Sequence, residues 1–248
     1  MRIVSLCPSL TELIFDLGRG ADLVGITRYC IHPAEGVASV EKVGGTKDPD
    51  LAQIIALSPD LVLFNEEENR REDHDTLRQS NLPVLNTFPK DALETAAMVR
   101  AIGTAIDCPE PAEQIANDIE ARAARVSSAA RERKPVRFAY LIWREPWMSV
   151  NQDTYASALL SLAGGQNIFA DREERYPTIE LSALVDHGVD LVLLCTEPFA
   201  FKAKHIDEIA RATNLDPQRI LIADGEYLSW HGSRTPDGLD YAESLIVR

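Results

Sequence analysis

Between Pro111 and Pro135 lie 23 residues, Ala112 to Lys134, that are rich in Ala, Glu and Arg and hold no Gly or Pro. Nothing in that run breaks a helix, so it predicts one continuous rod of ~35 Å at 1.5 Å per residue, the diameter of a small domain. Ile115, Ile119 and Val126 mark an apolar stripe along it, which needs other elements to lie against it for much of its length. Pro135 ends it, because proline has no N–H to continue the ladder.

On either side of this rod short apolar runs alternate with helical patterns. Before it, strands are expected at Arg2 to Leu6, Leu23 to Ile26, Leu61 to Phe64 and Val84 to Leu85, with helices at Leu10 to Leu17, Leu51 to Leu57, Arg71 to Gln79 and Asp91 to Ile106. After it come strands at Phe138 to Ile142, Leu191 to Cys195 and Ile220 to Ala223, and helices at Tyr155 to Leu162, Ile179 to Val185, Ile206 to Ala212 and Leu239 to Val247. Such alternation implies parallel sheets covered on both faces. Asp60-Leu-Val-Leu-Phe64 and Asp190-Leu-Val-Leu-Leu194 occupy the same place in the two halves, each preceded by a short helix and followed by acidic residues. The expected fold is therefore α/β, two Rossmann-like lobes with parallel sheets joined by a single long backbone helix: residues 1–107, a connector at 108–134, and residues 135–248. A chain of 248 residues is long enough for two such small domains.

Charge and cysteine usage narrow the function classes. With 39 acidic and 25 basic residues the net charge is −14, a field that repels phosphate backbones and argues against nucleic acid as a partner. That acidity either favours cationic or neutral partners or only maintains solubility. Cys7, Cys30, Cys108 and Cys195 are widely spaced with no CxxC, which points to free buried thiols rather than a zinc ribbon or a disulfide scaffold. The apolar run before Pro8 is too short for a signal peptide, so the expected location is cytoplasmic, or periplasmic if an export signal has been removed. No membrane insertion is expected, since no segment approaches ~20 apolar residues.

In open parallel sheets ligands bind beyond the carboxyl ends of the strands. Those positions here hold Pro8, Ser9 and Thr11; Arg28, Tyr29, Cys30 and His32; Asn65 to Arg70; and Thr87 and Phe88. In the second half they hold Trp143, Arg144, Glu145 and Trp147; Glu197, Phe199 and Phe201; and Tyr227, Trp230, His231 and Arg234. All three tryptophans fall there although aromatic residues make up only 6% of the chain. Flat side chains at strand ends either wall a pocket for a planar or hydrophobic ligand or pack loops onto the lobe. Cys30, His32 and His231, with the acidic run after Phe64, offer mixed nitrogen, sulfur and oxygen donors for a metal. His74, His187 and His205, on helices, read as solvent-facing or structural. GxGxxG after a strand, GxxxxGK[ST], GxSxG and HExxH are all missing, and Gly44-Gly45 and Gly164-Gly165 read as turn doublets.

Several stretches together resemble a known family. Arg2 to Glu12, the Gly44-Gly45 turn, Asp50 to Phe64 with its Ser-Pro-Asp-Leu-Val, and Gly164-Gly-Gln-Asn-Ile-Phe169 are similar to the cobalamin and ferric-siderophore (class III) substrate-binding proteins of ABC importers. Arg28 to Pro33 and Trp143 to Ser149 further resemble a branch described as helical backbone metal receptors. The resemblance implies two α/β lobes on a backbone helix, a shallow cleft between them, little hinge motion and no catalysis. It implies a cobalamin or an iron chelate as bound ligand, and an ABC permease as partner. Family members present a glutamate on each lobe to that permease; an ungapped match puts Arg71 at the first such position, with Glu72 beside it. The ligand-binding set expected on this reading is Ser9, Tyr29, Glu66, Asn69, Phe88, Trp143, Arg144, Trp147, Glu197, Phe199, Trp230 and Arg234, with Cys30, His32 and His231 directed at metal. Another reading makes the chain a cytoplasmic metallochaperone or metal-handling enzyme that uses Cys30 and His32.

Overall fold

The computed structural model describes residues 1–248. Its internal contacts divide the chain into unit 1, Met1–Pro89 with Glu94–Asp118 and His231–Arg234, and unit 2, Lys90–Leu93 with Ile119–Trp230 and Thr235–Arg248. Unit 1 contains strands β1 (Ile3–Ser5), β2 (Leu23–Ile26), β3 (Leu61–Asn65) and β4 (Val84–Thr87), interleaved with helices α1 (Pro8–Asp16), α2 (Ala34–Val37), α3 (Leu51–Ala56) and α4 (Arg71–Gln79). Helix α5 (Ala92–Ala105) follows β4. The four strands are parallel in the order β2-β1-β3-β4. Val4, Val62 and Phe64 from the central strands, with Leu6 just beyond β1, close a core with Val43, Ile54 and Leu77; burying one such side chain stabilises by roughly 1.5–3 kcal/mol.

Helix α6 (Pro109–Ala130) begins in unit 1 and ends in unit 2. It starts earlier than the Gly- and Pro-free run suggested because prolines 109 and 111 sit in the first turn, where the missing N–H has no partner to lose. It stops at Ala130, where the N–H of Arg133 turns back to the Ala130 carbonyl, four residues before the expected end. The buried stripe runs through Ala112, Ala116, Ile119, Ala123 and Val126, spaced by four and three residues as one helical face requires; Ile115 lies at its flank, half-buried. Alanines on this face allow close approach: a Cβ placed on Gly103 of α5 would come within 2.1 Å of the Ala112 Cβ.

Unit 2 repeats the plan with β5 (Val136–Leu141), α7 (Tyr155–Leu162), β6 (Gly165–Asn167), α8 (Ser182–Asp186), β7 (Leu191–Cys195), α9 (Ala203–Thr213), β8 (Ile220–Ala223), α10 (Gly225–Ser229) and α11 (Thr235–Ile246). Its parallel order, β6-β5-β7-β8, matches unit 1 strand for strand. The repeated aspartates do the same work in both. The Asp60 carboxylate accepts from the backbone N–H of Arg2 at 2.7 Å, and the Asp190 carboxylate accepts from that of Arg137 at 3.0 Å, pinning the register of the two central strands. Strand β6 was expected only as a turn doublet. Gly164, at φ 101°, makes the turn, while Gly165 starts the strand because a Cβ there would lie 2.6 Å from the Phe138 ring. In the segment expected as a helix over Ile179 to Val185 only Ser182–Asp186 is helical. Arg122 and Arg125 of α6 pair with Asp240, and Arg125 and Arg133 with Glu243, securing α11 along the second half of α6.

Candidate functional site

In unit 1 the carboxyl ends of β1, β3 and β4 rest on a buried polar floor. Asn65, the last residue of β3, donates from Nδ2 to the carbonyl and the hydroxyl of Thr87, both at 3.2 Å. Its Oδ1 accepts from the N–H groups of Glu67 and Glu68 at 3.0 and 3.1 Å. Those donors fix the amide's orientation, so the His231 Nε2 at 3.2 Å from Nδ2 is an acceptor and the ring proton belongs on Nδ1. Ser9 Oγ lies 3.5 Å from His231 Nε2. Asn69 accepts from the N–H of Asn65 at 2.8 Å and donates to the carbonyls of Leu6 and Thr46 at 2.9 and 3.0 Å. It ties three loops together rather than facing outward.

Cys30 lies in this floor, its sulfur 3.1 Å from Thr11 Oγ1 and 3.2 Å from Thr27 Oγ1. Burial pushes its thiol up, and burial also pushes the Cys7 thiol up to about 12; metals are held by thiolates, not by neutral thiols. His32 sits half-buried on the loop beyond. No group of three or more His, Cys, Asp or Glu side chains is arranged to hold a metal ion. The structure therefore does not assemble Cys30, His32 and His231 into the expected metal shell, and the fold engages the Cys30 thiol and His231 Nε2 in its own hydrogen bonds.

Around this floor the rim of unit 1 is more open. Tyr29 is 51% exposed, with the Arg28 guanidinium 5.1 Å from its ring centroid, and Arg28 is itself held by both oxygens of Asp48 at 2.8 Å. Glu66 is exposed and accepts from Asn86, and Phe88 is half-buried. Burial raises the Glu68 carboxyl. The segment His231–Arg234 is pinned to α1: Arg234 donates from Nε to Glu12 at 2.9 Å, and Ser233 donates to Asp16, whose carboxyl is raised by burial. Arg234 is thus engaged with Glu12.

The strand ends of unit 2 carry aromatic rings instead. Trp147 stacks on Phe201 at 5.9 Å with the planes 9° apart, Phe199 meets Phe201 edge-on at 4.7 Å, and Trp143 meets Phe199 edge-on at 5.7 Å. Trp143, 41% exposed, is the outermost ring of this shelf. His205 closes its inner side, 5.5 and 5.4 Å from Phe199 and Phe201. It sits at the start of α9, where its Nδ1 accepts from the N–H of Lys202 at 2.9 Å, and burial holds it below the usual imidazole range. Arg144 is anchored to Glu208 at 2.9 Å and lies over Trp147, 5.8 Å from its ring.

Trp230 departs from the expected wall. It is only 7% exposed and gives its indole N–H to Glu197 at 2.7 Å, so both side chains brace unit 2 internally. Sequence reading missed the central parts played by Asn65, Thr87 and His205. Polar residues closing a strand, and a histidine three residues into a helix behind two phenylalanines, were the signals present.

Residues 3–229 match the model of a family described as periplasmic binding protein. The vitamin B12-binding protein of Vibrio cholerae is 28% identical over 251 aligned positions, 99% of this chain and 88% of that one. Among solved structures, the periplasmic vitamin B12 binding protein BtuF of Vibrio cholerae superposes with a TM-score of 0.84 at 23% identity, covering 98% of this chain and 95% of the other. The periplasmic heme-binding protein RhuT from a Roseiflexus species gives 0.82 at 24% identity, covering 98% of both. No helix is long and apolar enough to cross a membrane.

Proposed function

The chain belongs to the periplasmic binding protein family, and on that premise we propose that it binds a cobalamin-like corrinoid, or a metal chelate of the siderophore or haem kind, without altering it chemically. The observation that carries this reading is the aromatic shelf of unit 2, where Trp143 and Phe199 lead outward from the stacked Trp147 and Phe201. Rings graded from buried to exposed offer a rigid apolar surface that costs little entropy to cover. The names of the relatives point the same way, toward large metal-bearing ring ligands. In unit 1 this reading assigns ligand contact to Tyr29, Glu66 and Phe88 on the rim, with Ser9 and Asn69 in the floor beneath them.

Titration with cyanocobalamin, haemin and a ferric chelate, followed by tryptophan emission, tests the proposal. Saturable quenching by at least one of them supports it, and a folded protein that answers to none contradicts it. Delivery to an ABC permease is part of the same reading, with exposed Arg71 and Glu72 at the start of α4 as the docking surface. Arg71→Glu, which restores an acid at that position, should then strengthen capture of the permease; an unchanged affinity counts against it. The periplasmic relatives support the periplasm as working compartment, checked by whether osmotic shock releases the native gene product.

A further inference from the structure

Unit 2 carries a cavity of about 360 Å³ that none of the aromatic shelf residues line. Arg137 stands near the start of β5, His187 follows α8, and Gln166 and Asn167 belong to the edge strand β6, with Phe169 and Arg172 just beyond it. Asp190, which fixes the backbone of Arg137, immediately precedes β7. The cavity therefore lies beside the first residues of β5 and at the carboxyl end of the short edge strand β6, and shares no residue with the aromatic shelf.

We propose that this cavity is a second binding site, one that takes a small molecule bearing a phosphate or carboxylate group. Arg137 and Arg172 line it, and neither forms an ion pair, although acids outnumber bases 39 to 25. In the same unit Arg122, Arg125, Arg133, Arg144, Arg175 and Arg219 each hold a carboxylate, and the exposed Arg131 and Arg211, which hold none, lie outside the cavity. Two forked donors left without anions in an acidic chain match the planar, two-pronged geometry of a carboxylate or phosphate.

Their placement is built rather than incidental. The Arg172 guanidinium lies 5.9 Å from the ring of Phe169, which is 1% exposed. The His187 ring meets that same phenylalanine edge-on at 5.9 Å. The carbonyl of Arg172 accepts from Asn151 at 3.0 Å, which fixes its turn. Arg137 passes over Gly188, where a side-chain carbon would sit 3.4 Å from its Nη1. Asp171 also lines the cavity, and its charge opposes an anion. A volume near the lower end of ordinary ligand pockets suits a small phosphorylated or polycarboxylate compound, and the overall negative field makes the affinity modest and salt-sensitive.

Calorimetric titration of the whole chain with inorganic phosphate and with citrate, at fixed ionic strength, distinguishes the two chemistries. At least one of them should bind with single-site saturation. Arg137→Gln and Arg172→Gln should each weaken it about tenfold, while Asp171→Asn should tighten it. Arg211→Gln, an exposed arginine of α9 outside the cavity, should leave it unchanged. Absence of binding by both anions at about 10 mM overturns the proposal, as does equal weakening by Arg211→Gln. Because the readout is anion binding, its failure is separate from a failure of the strand-end site.

Discussion

Units 1 and 2 share strand order, direction and the aspartate that pins each central strand, yet their strand ends are chemically opposite. In unit 1 the ends are closed by a hydrogen-bonded floor of Asn65, Thr87, Asn69 and His231; in unit 2 they open into a ladder of rings from Phe201 to Trp143. One topology thus supports two surfaces, because the sheet depends on the alternating apolar strands while the residues that follow each strand are free to vary. A saturated polar floor rigidifies and excludes alternatives. A graded aromatic shelf leaves apolar area for a ligand to cover.

The sharpest way to break this contrast is at Asn65. Asn65→Leu takes the acceptor from the backbone N–H groups of Glu67 and Glu68, and should cost about 4 kcal/mol of stability at 1–3 kcal/mol per lost partner, read by urea denaturation. Phe201→Ala should cost about 3 kcal/mol as a buried aromatic truncation, and should shift tryptophan emission by releasing Trp147. Trp143→Ala should do the reverse: stability should fall by less than about 1.5 kcal/mol, while affinity for the corrinoid or chelate drops about tenfold, as for an exposed aromatic anchor. If Trp143→Ala proves as destabilising as Asn65→Leu, the distinction between floor and shelf fails.

The smallest effect concerns pH. Burial lowers the pKa of His205 in the folded state, so below its ordinary value of ~6.5 the unfolded chain binds more protons than the folded one. The stabilisation is complete above ~6.5 and is lost as pH falls from there toward the lowered folded value. His205→Gln, which keeps an acceptor for the Lys202 N–H, should flatten the stability curve across that window; an unchanged slope would assign it to other groups.

The strand and helix alternation was legible because its periodicity is written locally: Leu191–Cys195 and Tyr155–Leu162 appear where their patterns placed them. Strand β6 was not, since Gly165 owes its conformation to the Phe138 ring, 27 residues away in sequence. The shelf was legible because aromatic residues concentrate at strand ends. Its internal division was not, because only hydrogen bonding shows that Trp230 and Glu197 satisfy each other. Cys30 and His32 looked like donors by spacing alone, whereas Thr11 and Thr27 claim the thiol.

Native mass spectrometry of the purified chain with equimolar cyanocobalamin, haemin and ferric chelate tests the central claim most directly. The expected result is a single adduct carrying one intact ligand, recovered unaltered after release. No adduct from any of the three, or a ligand returned chemically changed, would contradict it.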